Sequence, residues 1–257
     1  MTIGADELAA ALTDSFGQFI PTIAGAWAAS LDGMLTAYSG VGVPTLNGVW
    51  VARPDCERSA VGAQLDRLAE TGQVHCLSFR PGAASMLEPI ARDRKLVRQR
   101  DMPLMLLEPG PNYRPVEPPK GLRIRELRND QVRLHAEVAA RGFAAPLEMF
   151  EQLITEDALN LPGTRCYLGE VDGEPVVTGI ARLLDRKVGV FNIATVPEQT
   201  RRGYGAALTS RACADAGADG ARGVWLQASA DGYPVYERLG FRTVENWQCW
   251  ITAAPDS

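Results

Sequence analysis

Val196–Leu208 reads VPEQTRRGYGAAL, a composition at odds with its place at the head of an alanine-rich segment. Glycine inside a helix is less favourable than alanine by roughly 1 kcal/mol, and neighbouring arginines repel, yet Arg201, Arg202, Gly203 and Gly205 crowd into this turn. A backbone brought close to an anion accounts for both choices. The first turn of a helix has N–H groups without partners and a partial positive charge, which together hold phosphate. Glycines remove side chains that would keep the anion off those donors, and arginines add charge-assisted contacts. The β-rich run VFNIATV leads into the turn through Pro197, so the segment reads as strand, glycine turn and helix, suited to a diphosphate. It is not a P-loop, because no Gly-Lys-Ser/Thr follows. A dinucleotide fingerprint would need glycine where Leu208 stands.

The basic pair stands on an acidic chain. The 257 residues carry a formal net charge of −5, with 46% hydrophobic and 22% charged residues, ordinary for a folded protein. Nothing in that balance invites nucleic acid or an anionic membrane. No apolar run approaches the roughly 20 residues needed to span a bilayer. The opening MTIGADELAAALTDSF has acidic residues and no basic run, unlike a secretory signal. Cysteines 56, 76, 166, 213 and 249 are odd in number and lack C-x-x-C spacing, which predicts reduced thiols in a cytoplasmic protein. With only His75 and His135 there is little material for zinc or a Ser-His-Asp system, so no metal is expected and both histidines read as structural.

The clearest boundary is EPGPNYRPVEPPKG, Glu108–Gly121, with five prolines that deny backbone donors and favour extended chain. It predicts two domains, 1–110 and 118–257. In the second, NDQVRLHAEVAARG reads as a helix capped by Asn129 or Asp130 and stopped by Gly142, and PLEMFEQLITEDAL as another with Pro146 in its first turn. Asp172-Gly173 between β-rich runs signals a hairpin. A helix from about Arg202 to Ala216, the strand GVWLQAS, the short helix GYPVYERLG and the closing strand FRTVENWQCWI follow. The class is α/β, a mixed sheet with helices. Trp225, Trp247 and Trp250 read as core.

The first half repeats part of this layout. RPDCERSAVGAQL, Arg53–Leu65, lies over Val196–Leu208 without a gap, matching Pro54 to Pro197, Arg58 to Arg201, Gly62 to Gly205 and Leu65 to Leu208. This reads as an internal duplication.

RRGYGAAL after a strand ending in Val-Pro, with YERLGF (Tyr236 to Phe241) some 30 residues on, resembles the GNAT superfamily of N-acetyltransferases. The resemblance covers 118–257 and implies that this half binds acetyl-CoA as co-substrate. Arg201, Arg202, Gly203, Tyr204, Gly205 and Ala206 would hold the pyrophosphate. Ala194, Thr195 and Val196, at the end of the preceding strand, would pair with the pantetheine arm and offer an N–H to the thioester oxygen. Tyr236 would protonate the departing thiolate. In one respect the chain departs from the family pattern: Thr200 stands where a Gln or Arg is usual, three residues before the first glycine.

Acetyl transfer to an amine also needs the acceptor deprotonated and the carbonyl oxygen stabilised. Glu170, in YLGEV, is the candidate base, with Glu148, Glu151 or a water chain as alternatives. The first half resembles a decayed GNAT domain: Ser59-Ala60-Val61-Gly62 replaces Arg202-Gly203-Tyr204-Gly205, and no tyrosine follows. It is expected to lack an acetyl-CoA site. Asn47 and Trp50 on its equivalent strand, and Phe143 between the first two helices of the second half, are candidate acceptor contacts. The implied activity is transfer of an acetyl group to a primary amine of a small molecule or peptide in a ternary complex. The alternatives are a non-catalytic acetyl-CoA sensor and an enzyme for longer acyl-CoA. Fused halves could stand in for the dimer of single-domain relatives, so a monomer is preferred over a homodimer.

Overall fold

The computed structural model describes residues 2–110 and 113–253. Met1, Pro111, Asn112 and residues 254–257 lie outside the described residues; Met1 belongs to the first expected domain, Pro111 and Asn112 to the proline-rich boundary, and 254–257 to the second expected domain. The chain divides into an N-terminal unit, Gly4–Leu104 with Thr243–Ser257, and a C-terminal unit, Met1–Ile3 with Met105–Arg242. The closing strand, which sequence assigns to the second half, thus falls with the N-terminal unit.

In the N-terminal unit α1 (Ala5–Phe19) precedes three strands, β1 (Trp27–Leu31), β2 (Met34–Tyr38) and β3 (Gly48–Val51), each antiparallel to the one before. After α2 (Arg58–Ala69), β4 (Cys76–Phe79) lies parallel to β3, and α3 (Ala84–Asp93) follows. The short β5 (Val97–Arg98) and β6 (Met102–Leu107) complete this half of the chain. The closing β12 (Arg242–Ile251) pairs antiparallel with β4, Cys249 opposite Ser78 and Ile251 opposite Cys76. Its Trp250 is buried with Val49, Val51, Val61, Leu65, Leu77, Phe79, Leu87 and Ile90. Burying that indole against the sheet–helix core is the reason the strand belongs to this unit.

The C-terminal unit begins with an edge strand that the sequence reading passed over, β7 (Leu122–Glu126, LRIRE). Its charged alternation hides the period that a half-buried strand shows. Then come α4 (Val132–Phe143), α5 (Leu147–Leu153), α6 (Glu156–Leu159), β8 (Thr164–Val171), β9 (Glu174–Leu184), β10 (Lys187–Thr195), α7 (Tyr204–Ala218), β11 (Gly223–Gln227) and α8 (Tyr233–Arg238). Strands β7 to β10 are successively antiparallel, and β11 is parallel to β10. Asp172 and Gly173 make the expected hairpin turn, with φ of 54° and 85°. Each unit therefore runs through helix, antiparallel strands, helix, parallel strand and helix.

The expected PLEMFEQLITEDAL helix is broken where Thr155 caps a new one, its Oγ1 accepting from the Ala158 N–H at 3.2 Å. Gly142 is not a stop but an interior residue of α4, which ends on Ala144 in the left-handed region at φ 52°. A Cβ at Gly142 would stand 2.8 Å from the Ala194 methyl and 3.1 Å from the Thr195 carbonyl oxygen. The glycine is there because α4 lies flat on the end of β10. Side chains alternate along β10: Ala194 faces α4, while Ile193 and Thr195 lie towards Gly205 of α7.

His135 fastens α4 to this sheet. Its Nδ1 lies 2.7 Å from Thr178 Oγ1, and that hydroxyl donates to the Tyr167 carbonyl at 2.9 Å. The hydroxyl proton being used, Nδ1 carries the proton and Nε2 is a bare lone pair, buried with no partner. Burial pushes the pKa of His135 from its ordinary 6.5 down to about 4. Between those values the unfolded chain binds a proton that the folded chain refuses. The associated stability is therefore whole above about pH 6.5 and drains away as pH falls towards 4, an effect of roughly 3 kcal/mol. Urea unfolding midpoints are expected to decline across that window. His135→Asn, which keeps a donor towards Thr178 and cannot titrate, should flatten the decline; an unchanged slope would assign it to other groups.

Candidate active site

The site grows out of a parallel strand pair that comes apart. Pairing between β10 and β11 comprises Lys187 with Gly223, Val188 with Val224 and Gly189 with Trp225, although β10 continues to Thr195 and β11 to Gln227. At the point of parting, the Phe191 and Trp225 rings meet edge-on with centroids 5.3 Å apart. A Cβ on Gly189 would clash with both rings, so the glycine admits this aromatic wedge.

Beyond the wedge the strand is offset by one residue. Phe191 pairs with Ile180 of β9, but Ala194 pairs with Thr178, and Asn192 absorbs the extra residue at φ 51°. Asparagine tolerates the left-handed region better than most residues, and this bulge was not foreseen in the sequence. The Val196 N–H donates to the Val176 carbonyl at 2.9 Å. By alternation Ala194 also turns its main chain to β9, and Thr195 turns its N–H and C=O to the open edge. Of the three expected strand residues, Thr195 is the one with main-chain groups free to pair with a ligand.

Val196 is followed by a short 3-10 turn, Pro197–Gln199, and the chain then turns into α7. Arg201 is left-handed at φ 60° and Gly203 at φ 80°, the latter as N-cap. The first bond closing the helix runs from the Ala207 N–H to the Gly203 carbonyl at 2.9 Å, so the amides of Tyr204, Gly205 and Ala206 precede the helical ladder and have no carbonyl within it. Gly203 needs its glycine for conformation. Gly205 does not: an added Cβ would make only ordinary 3.6 Å contacts with Ile193 Cγ2 and Thr195 Oγ1. Nothing in the fold forbids a side chain there. The side chains of Arg201 and Arg202 are exposed, and neither has an ion-pair partner among the described residues, whereas the Tyr204 ring is buried.

Tyr236 lies on α8, which starts two turns after β11. A Cβ on Gly232 would come within 2.9 Å of its ring, and Phe241 packs edge-on at 5.9 Å. Its hydroxyl has no hydrogen-bond partner among the described residues, and burial pushes its pKa up to about 12. The phenol is therefore neutral, with no acceptor for its proton among the described residues. Glu170 sits at a bulge in β8, its Oε1 accepting from Arg125 Nη2 at 2.9 Å and Nε at 3.2 Å. Gly169 is opposite Val177, and Val177 opposite Thr195, so Glu170 stands about two strand spacings, roughly 10 Å, from the open edge. Glu151 is paired with Arg133 at 2.8 Å.

Asn47 and Trp50 are not substrate contacts. The Asn47 carboxamide is fully buried and saturated: its oxygen accepts from the Ser39 N–H, the Ser39 hydroxyl and the Gly40 N–H, and its nitrogen donates to the carbonyls of Val41, Val43 and Val74. It organises the 39–47 loop. Trp50 is buried and stacked on Phe16 at 5.3 Å. Phe143 remains 50% exposed and stacks on Phe150 at 5.7 Å. Trp225, Trp247 and Trp250 are core residues, and all five cysteines are buried free thiols. Among the described residues no cluster of His, Cys, Asp or Glu could hold a metal, and no helix is long and apolar enough to cross a membrane.

Residues 124–241 match the model of the acetyltransferase (GNAT) family. The fold is similar to a GCN5-related N-acetyltransferase from Kribbella flavida, with 19% identity over 99% of this chain and 98% of that one and a TM-score of 0.72. It is similar also to a GCN5-related N-acetyltransferase from Sphaerobacter thermophilus, 14% identical over 80% and 72% of the two chains at a TM-score of 0.64. A tandem GNAT protein from the clavulanic acid biosynthesis pathway is 14% identical over 99% and 98%, with a TM-score of 0.58. At such identities the likeness is one of fold. No curated protein matches the chain.

Gly205 separates cradle from scaffold. Gly205→Ala is expected to leave the melting temperature unchanged or raise it, since alanine favours helix by up to about 1 kcal/mol. The same change should weaken coenzyme A binding, measured by calorimetry, by at least about tenfold as it crowds the amides. Parallel loss of stability and binding would mean that the glycine serves packing.

Proposed function

We propose that the C-terminal unit transfers an acetyl group from acetyl-CoA to a primary amine of a small molecule or peptide, by direct attack in a ternary complex. The observation that carries this reading is the open edge of β10 running straight into an uncapped helix start. One end fits a strand-like amide arm and the other a diphosphate. When bound, the thioester supplies an activated acyl carbon. The Thr195 main chain would orient the arm, the amides of 204–206 with Arg201 and Arg202 would hold the diphosphate, and the strand end would offer an N–H to the carbonyl oxygen.

As the new C–N bond forms and the C–S bond breaks, Tyr236 gives its proton to the sulfur. Its raised pKa suits a donor that must stay protonated until a thiolate develops beside it. The Glu170 carboxylate is engaged by Arg125 and stands back from the open edge. We assign it instead to attracting the cationic acceptor, with water removing the amine proton. The five unpaired thiols support a cytoplasmic setting.

We propose one cofactor site per chain. In the N-terminal unit the equivalent strands stay together, β3 and β4 pairing over all four residues from Gly48 with Cys76 to Val51 with Phe79. The Ala52 carbonyl, matched in sequence to Thr195, accepts from Arg80 Nη1 at 3.1 Å. With Ala60 in place of Gly203, α2 already includes the aligned turn, starting at Arg58. Arg94 Nη2 lies 3.1 Å from the Gly62 carbonyl and would meet a Cβ on that glycine at the same distance.

Tyr236→Phe is expected to lower turnover at least about tenfold while leaving the coenzyme A dissociation constant within about twofold; unaltered turnover would remove Tyr236 from the chemistry. Thiol release from acetyl-CoA over a panel of lysine peptides, aminoglycosides and polyamines tests the reaction itself. Binding without release across that panel would make the protein a sensor, and two coenzyme A molecules per chain would refute the single-site reading.

A further inference from the structure

The proline-rich segment docks along the C-terminal unit. Tyr113 Oη shares a hydrogen bond with Ser210 Oγ at 2.9 Å, and the Val116 N–H donates to the same oxygen at 2.8 Å. Ser210 is a buried residue of α7, so the strap is pinned to the helix whose first turn forms the anion cradle. Burial pushes the Tyr113 pKa up to about 12, which keeps that phenol a neutral hydrogen-bond partner.

The strap then reaches the cradle. A Cβ on Gly203 would lie 3.6 Å from Pro119 Cγ, so Pro119 walls the turn on that side. From Pro119 the chain reverses at once: the Leu122 N–H donates to the Pro119 carbonyl at 2.9 Å, and Gly121 sits at φ 88°. A positive φ at the third position of a four-residue turn is the type II geometry, which puts Lys120 at the first corner. Two prolines, Pro118 and Pro119, stiffen the approach. Lys120 is therefore an exposed cation on a fixed corner beside Gly203, and it has no ion-pair partner among the described residues.

Arg201 and Arg202 share that condition. Three cations without counter-charges gather at one helix start in a chain of net charge −5, where most arginines elsewhere are matched to carboxylates. Crowding like charges costs free energy unless an anion is to be shared.

We propose that Lys120 is a further phosphate ligand of the cofactor site, delivered across the cradle by the strap. The inference rests on the acetyl-CoA reading above. A lysine on its four-carbon stem is a point charge that needs no bidentate geometry, so a phosphate at the mouth of the turn is within its range from the Pro119–Leu122 corner. The group is either the diphosphate or the 3′-phosphate of the ribose.

Calorimetric titration of the full chain distinguishes these with two probes, coenzyme A and 3′-dephospho-coenzyme A. Lys120→Glu should raise the dissociation constant for coenzyme A at least about tenfold at low ionic strength, with the penalty shrinking in high salt. Lys120→Arg should stay within about threefold of the parent. A penalty with coenzyme A alone assigns Lys120 to the 3′-phosphate, and an equal penalty with both probes assigns it to the diphosphate. Equal affinity of Lys120→Glu and the parent for coenzyme A overturns the inference and leaves the acetyl-CoA reading standing. Failure of the parent itself to bind coenzyme A overturns both. Lys120 is exposed, and an unchanged melting temperature separates lost charge from lost fold.

Discussion

Main-chain hydrogen bonding left over between Gly189 and Ala207 is what the functional reading depends on. A sheet inside a folded domain pairs nearly all of its N–H and C=O groups, and β10 does so along the β9 side as far as Val196. On the other side the pairing stops at Gly189, and α7 then opens with three amides that have no carbonyl to meet. The two deficits are neighbours in the chain, separated by the hydrogen-bonded turn Pro197–Gln199. Either would be a local irregularity; together they are the track that the acetyl-CoA proposal uses. The aromatic wedge of Phe191 and Trp225 and the bulge at Asn192 keep the track open against the tendency of parallel strands to close.

The N-terminal unit is an internal control for this argument. It repeats the order of elements, yet its strands stay paired, the Ala52 carbonyl is taken by Arg80, and its helix swallows the glycine turn. One substitution accounts for the last difference. Alanine at position 60 would adopt only at a cost the left-handed conformation that Gly203 takes freely, and the helical conformation extends back to Arg58. Arg80 is itself fixed by Glu245 at 2.8 Å and Asp6 at 2.5 Å. A side chain bound on three sides acts as a strut, and it supplies from within what the other unit leaves for a ligand.

The sequence displayed the parts of this design that rest on rare residues. Glycines beside arginines announced the helix start, and the Asp172-Gly173 pair announced a turn because both residues tolerate positive φ. The gapless match of Arg53–Leu65 to Val196–Leu208 exposed the repeated layout. Other features left no such mark. A strand that alternates arginine with leucine and isoleucine, as β7 does, looks like exposed coil. Asn192 has to be left-handed only because β11 leaves β10, which is a tertiary event. Gly142 reads as a stop until the backbone of Thr195 is seen against it, and Asn47 reads as a free polar group until six partners close around it. In each case the missing information was a neighbour distant in sequence.

Charge placement follows the same division of labour. The long-range field of an acidic protein repels an anionic cofactor, and only charges close to the binding track can reverse it. Arg201 and Arg202 would do this from the loop, and Lys120 from the corner that follows Pro119, which lies beside Gly203. Several other arginines of this unit are matched: Arg125 with Glu170, Arg165 with Asp219, Arg141 with Glu198 and Arg242 with Glu108. A matched pair contributes little attraction at a distance, because its two fields cancel beyond a few ångströms. Arg201, Arg202 and Lys120, which have no ion-pair partner among the described residues, keep their full local field at a helix start that carries Gly203 and Gly205.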